Sequence, residues 1–192
     1  MRMGTFRRVG NRQALRECRG RRTRGSQIVE FAMVLPLFVV FTIAAFDFGH
    51  VFSLRDKLDN SAREGARVAA VQPLLGEVSG SAPSSNTTAI AQSVFNYLLQ
   101  AKVVQGCTLN GGATSGTFSW TFTASKCPDN LSITIERNYQ VTINGSDVSM
   151  SRVTVSYPAH FLFFHRVISL LTPGASYPST FVLTPQAIMR NP

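Results

Sequence analysis

Acidic side chains are scarce in this chain, ten Asp and Glu against nineteen Lys and Arg in 192 residues, and from Phe31 to Phe46 charge is absent altogether. Recognisable chemistry is missing too. There is no Gly-x-Ser-x-Gly elbow, no His-Glu-x-x-His, no phosphate-cradling glycine loop with its lysine and no Cys-x-x-Cys. The hydrolase, zinc-protease, P-loop and thiol-redox classes therefore have no motif to stand on. Neither Cys107 nor Cys127 has a second ligand at metal spacing, which gives a zinc site no footing. His160 and His165 are five apart, so they do not share a helix face, and each reads as a polar head at the rim of an apolar patch. Asp129, Glu136 and Asp147 fall in turn-rich sequence and read as solvated. Asn-x-Ser/Thr triplets begin at Asn86, Asn130 and Asn144, as chance produces in a chain rich in Ser and Thr. The expectation is a protein that is not an enzyme, with no catalytic residue, cofactor, metal or small-molecule substrate.

The basicity is concentrated. Nine arginines and one glutamate (Glu17) lie in the first 25 residues, leaving ten basic and nine acidic residues for the other 167. A nucleic-acid-binding arm is one reading of such a run. Its position against an apolar segment favours a topogenic one, because Lys and Arg beside a membrane helix stay cytoplasmic. Nucleic acid is accordingly not an expected partner; membrane lipid is.

Residues 28–48, carrying Ile28, Phe31, Leu35, Pro36, Phe41, Phe46 and Phe48, read as a transmembrane helix. Those 21 positions span about 31 Å at 1.5 Å per residue, the thickness of a hydrocarbon core. Asp47 and His50 mark its far interface. Helical spacing persists beyond it through Val51, Leu54, Leu58, Ala62, Gly65 and Ala69, with no proline until Pro73. Arg55, Asp59, Arg63 and Arg67 form an i,i+4 series on another face, and Ser61, Ala62, Gly65, Ala66, Ala69 and Ala70 make a small-residue surface. That surface suits close packing, either on the protein's own head or on a neighbouring subunit. A second helix, capped by Thr87 or Thr88 and running to about Gln100, carries Ile90, Val94, Tyr97, Leu98 and Ala101.

Period two then takes over: Phe118, Trp120 and Phe122; Ile133 and Ile135; Val141 and Ile143; Val153, Val155 and Tyr157. Pro128-Asp129 and Asn144-Gly145 supply turns. The fold class expected is α+β: a long N-terminal transmembrane helix continuing into a soluble stalk, packed on a mainly antiparallel sheet with one short extra helix. The divisions expected are an Arg-rich leader over 1–25, helix and stalk over 26–70, and a β-rich head over 71–192. A last strand over residues 180–189 is placed at an edge by Pro185. Phe161 to Phe164, with Val167, Ile168, Leu170 and Leu171, form a second apolar segment. It is too short to span a bilayer, and reads first as core and second as an outer-leaflet or partner contact. Cys107 and Cys127 are an even pair in the exported part, a candidate disulfide.

Glu30 is the exception inside the apolar run, and an intramembrane carboxylate usually has a function. Gly25-Ser26-Gln27-Ile28-Val29-Glu30-Phe31, with basic residues before it, resembles a prepilin-type signal. Glu30-Phe31-Ala32-Met33-Val34-Leu35-Pro36, Phe46-Asp47-Phe48-Gly49 and Asn60-Ser61-Ala62-Arg63-Glu64-Gly65-Ala66-Arg67 resemble the TadE-like family. Those are pseudopilin-like proteins of tight-adherence (Flp) pilus assembly systems. Ile188-Met189-Arg190-Asn191 resembles the family's C-terminal end, where Pro192 stands in place of a frequent acid. The resemblance implies cleavage between Gly25 and Ser26 by a prepilin peptidase, and a docking or recognition role for Glu30 and Phe31. It implies as partners that peptidase, other pilin-like subunits and the pilus assembly machinery. The location implied is the bacterial cytoplasmic membrane, N-terminus in and head outside. The alternative is an unprocessed single-pass anchor presenting an extracytoplasmic binding domain.

Overall fold

In the computed structural model the chain forms two units, residues 1–43 and 44–192. The structure describes residues 22–74, 77–127, 129–163, 166 and 179–191. The arginine-rich stretch before Arg22, Pro128, and most of the second apolar segment, His165 included, lie outside the described residues.

One helix, α1 (Arg22–Val71), runs through Pro36 without a break. Its first part is a helix of exposed apolar residues, and its second part helps to build the 44–192 unit. A second helix, α2 (Ser85–Gln100), buries Ile90, Ala91, Val94, Phe95 and Leu98 along one stripe. Its cap is Ser84, not Thr87 or Thr88: the Ser84 hydroxyl accepts from the Thr87 N–H at 3.2 Å. Thr87 is buried and donates its own hydroxyl to Glu77, while that of Thr88 donates back to the Ser84 carbonyl at 2.9 Å. Glu77 also accepts from the Ser84 hydroxyl at 2.7 Å, which places a carboxylate beside the positive end of α2.

Among the described residues seven strands follow: β1 (Thr108–Leu109), β2 (Ala113–Gly116), β3 (Ser119–Ser125), β4 (Ser132–Ile143), β5 (Ser146–His160), β6 (Thr180–Leu183) and β7 (Gln186–Arg190). All pairings are antiparallel. β3, β4 and β5 form the centre, β1 and β2 share the free flank of β3, and β6 and β7 share that of β5. The expected last strand is thus two, broken at Thr184-Pro185. Proline cannot donate to the ladder, but its carbonyl accepts from the Val155 N–H at 3.0 Å.

Register turns the period-two pattern into one apolar face. Trp120 lies opposite Ile135 and Ile135 opposite Val153; Phe122 lies opposite Ile133 and Ile133 opposite Val155. These side chains are buried with Leu58, Ala62, Ala66 and Ala69 of α1 and the stripe of α2 in a single core. The alternation expected at Val141 and Ile143 does not lead inward, because the β4–β5 hairpin runs past its helical cover and leaves Ile143 exposed. Asn144 and Gly145 close that hairpin as a two-residue loop with φ of +51° and +79°, the left-handed values such a loop demands.

Candidate membrane anchor and assembly site

The 22–43 unit offers one chemical surface. Gly25, Ser26, Ile28, Glu30, Phe31, Leu35, Pro36 and Phe41 are all exposed on α1, as are Phe46 and Phe48 further on. The helix is long and apolar enough to cross a membrane, and the most apolar part of it has no side chain buried within the protein. Such a surface suits lipid, because burying apolar area is the main favourable term available to it. It marks a single-pass membrane anchor.

Glu30 has no hydrogen-bond or ion-pair partner among the described residues. Ser26 lies four residues earlier on the same helix, about 6 Å along its axis. Among the described residues, nothing lies within 4 Å of a methyl group placed on Gly25.

At the start of the 44–192 unit, Asp47 is only 2% exposed. Sequence marks it as an interface charge; the fold gives it a hydrogen-bonding task as well. Its two carboxylate oxygens accept from the Phe163 N–H at 3.0 and 3.3 Å. The turn after β5 is pinned to α1 at this point. Phe161 packs edge-on against Phe48, with centroids 6.3 Å apart, and lies tilted against Phe181 at 5.2 Å.

The small-residue face of α1 is spent inside the protein. A methyl group on Gly65 would overlap Val94 Cγ2 of α2 and lie 3.1 Å from Val153 Cγ1 of β5. Of the two packings open to this face on sequence, the intramolecular one occupies it. On the charged face Asp59 pairs with Arg63 at 2.7 Å. Arg67 turns instead to Glu64, three residues back at 2.9 Å, because its i−4 neighbour Arg63 is of like charge.

Sequence reasoning missed Arg137. Ile133, Ile135 and Arg137 have the same parity, so Arg137 follows the isoleucines inward and is 1% exposed. There its guanidinium donates to the carbonyls of Ala69 at 2.5 Å and Gln72 at 2.7 Å, closing the end of α1. Those carbonyls have no partner within the helix, and a cation suits the negative end of its dipole. Burial lowers the Arg137 pKa and the charge of Glu77 opposes that shift. The strand shifts register between Glu136 and Tyr139, with Asn138 at φ +59°, just past this side chain.

Two carboxylates read as solvated are in fact engaged. Asp129 accepts from the Tyr157 hydroxyl at 2.9 Å and pairs with His160 Nε2 at 2.6 Å. Burial first, then the Asp129 hydrogen bond and charge, pushes the Tyr157 phenol up to about 12. Glu136 pairs with Arg152, whose guanidinium also lies 4.0 Å above the Tyr139 ring. That hydrogen bond to Glu136 raises the Arg152 pKa. Near the C-terminus, Asn191 accepts from the Ser151 hydroxyl at 2.6 Å and donates to that of Ser149 at 3.1 Å. It fastens the end of β7 to β5. A disulfide joins Cys107 to Cys127 with Cα atoms 5.0 Å apart. No group of three or more potential metal ligands occurs among the described residues.

A membrane-anchoring helix merging with an α+β head is the architecture thus defined. Residues 25–67 match the family model of the TadE-like proteins, over the stretch whose spaced motifs carry the resemblance. No curated protein and no solved structure matches the chain.

Proposed function

We propose that this protein is a pseudopilin-like subunit serving assembly of a tight-adherence (Flp-type) pilus, matured by a prepilin peptidase that cuts after Gly25. The observation that carries this reading is the TadE-like match beginning at residue 25, laid over a helix whose apolar side chains are exposed. In this reading the leader stays in the cytoplasm, residues 28–48 cross the inner membrane, and the head stands in the periplasm or outside. Cleavage exposes the Ser26 amine. Glu30, with no partner among the described residues, then supplies the negative charge that such an amine on a neighbouring subunit requires. At the rim of the bilayer, where the effective dielectric lies well below that of water, the attraction exceeds what the same pair would gain in solution. Partners follow from this: the peptidase, pilin-like subunits and the membrane assembly machinery. In an oxidising compartment the Cys107–Cys127 bridge persists.

Mass spectrometry of the membrane-extracted protein tests the maturation step. A mature chain beginning at Ser26 is the expected result. Glu30→Gln is expected to lower recovery in pilus assemblies while leaving the head folded. Normal processing and incorporation of that variant would remove the docking role.

A second reading, an unprocessed single-pass anchor presenting the head as a binding domain, draws on α1 being helical from Arg22 through the Gly25–Ser26 bond. An intact arginine-rich leader on the extracted protein selects it.

A further inference from the structure

The surface of the 44–192 unit around residues 46–57 combines an apolar rim with a cationic cleft. On the apolar side, Phe48, Val51, Phe52, Phe161, Phe181 and Leu183 line a groove of about 410 Å³. Beside it the turn held by Asp47 presents Leu162 and Phe163, 52% and 56% exposed. On the polar side, His50, Lys57, Lys102, Asp129 and His160 line a cleft of about 270 Å³ with Leu162 at its edge. Asp129 is already engaged by Tyr157 and His160. Neither Lys57 nor Lys102 has a carboxylate within ion-pairing distance among the described residues. Lys102 also holds a left-handed backbone, φ +57°, directly after α2.

The helix fixes how deep these groups lie. Counting from Phe48, His50 is about 3 Å further along the axis, Ser53 about 7 Å and Lys57 about 13 Å. The headgroup layer on each side of the hydrocarbon is about 5–7 Å thick. His50 and Ser53 thus fall at headgroup depth, and the long stem of Lys57 can lower its ammonium toward the same level. Aromatic and aliphatic side chains at the acyl boundary with lysines at phosphate level are the two components of an interfacial contact.

We propose that this surface is a lipid-docking site, in which Leu162 and Phe163 enter the acyl boundary of the outer leaflet of the host membrane and Lys57 and Lys102, with His50 beside them, hold the phosphate of an anionic headgroup. The proposal rests on residues 28–48 being the span. It commits to a lipid phosphate, which the apolar rim next to the cations favours over a phosphate free in solution. The head is then held against the bilayer at a second point besides α1.

The full chain, reconstituted into vesicles of phosphatidylglycerol and phosphatidylcholine carrying brominated acyl chains, tests this. Tryptophan is introduced by Leu162→Trp or by Phe38→Trp, and the signal of the native Trp120 is subtracted. Quenching of both probes is expected. If the position-38 probe is quenched and the position-162 probe is not, the docking site is overturned and the span stands. If the position-38 probe escapes quenching, the span fails and takes this inference with it. Lipid retained on the detergent-extracted protein gives a second readout. Phosphatidylglycerol should be enriched about tenfold over phosphatidylcholine, a preference that Lys57→Gln with Lys102→Gln abolishes while the position-162 probe stays quenched. Equal retention of both lipids by the unsubstituted protein overturns the headgroup site. Loss of the preference to millimolar inorganic phosphate would mark a general phosphate cleft and overturn the lipid assignment.

Discussion

Arg137, 1% exposed, is the most deeply buried charged side chain among the described residues. Its two hydrogen bonds, to the carbonyls of Ala69 and Gln72, fix where α1 ends and which part of β4 meets it. Arg137→Met would keep the bulk and strand both carbonyls against an apolar side chain. A loss of about 2–4 kcal/mol is expected, read by denaturant unfolding of the detergent-solubilised chain. Arg152→Met, which breaks the partly exposed pair with Glu136, should lose no more than about 1 kcal/mol. If the two variants unfold alike, the clamp at Arg137 has been misassigned. Its inward direction was legible in the parity it shares with Ile133 and Ile135, but a lone arginine in a strand-like run is ordinarily a solvated side chain. Only the approach of the helix end converts it into a cap, and that is a long-range event. Asp129 and Glu136 are the same kind of case, since their partners Tyr157 and Arg152 come from another strand.

Among the elements, α1 was the most readable, because an uncharged run and a 3.6-residue period both survive without tertiary context. What its small-residue face packs on was not readable, since close approach looks the same whether the surface opposite is one's own or a neighbour's. Gly65 separates these. Gly65→Ala should destabilise the head by about 1–3 kcal/mol through overlap with Val94 and contact with Val153. Gly49→Ala, which meets nothing within 4 Å, should be neutral or stabilise by up to about 1 kcal/mol. Thermal unfolding of both variants decides it; an unchanged melting temperature for Gly65→Ala would free that face for another subunit. In the sheet, strand existence followed from alternation at Trp120, Ile133 and Val153. The split between β6 and β7 did not, because Pro185 signals an edge without saying that the chain resumes pairing on the same neighbour. The cap of α2 at Ser84 was hidden by two nearer threonines, one of which serves Glu77 instead.

For the whole molecule, the disulfide and the helix act on different parts. Cys107–Cys127 closes a 20-residue separation across the start of β1 and the exit of β3. Cys107→Ser with Cys127→Ser is expected to lower head stability by about 3 kcal/mol without releasing the protein from membranes. Unfolding curves and carbonate extraction measure the two effects separately. Release of the variant into the soluble fraction would show that anchoring depends on the head.

Because Leu58, Ala62, Ala66 and Ala69 of α1 belong to the interior of the head, the sheet cannot acquire its dry inner wall without that length of helix. A fragment severed at residue 71 would therefore leave behind part of what it must fold around.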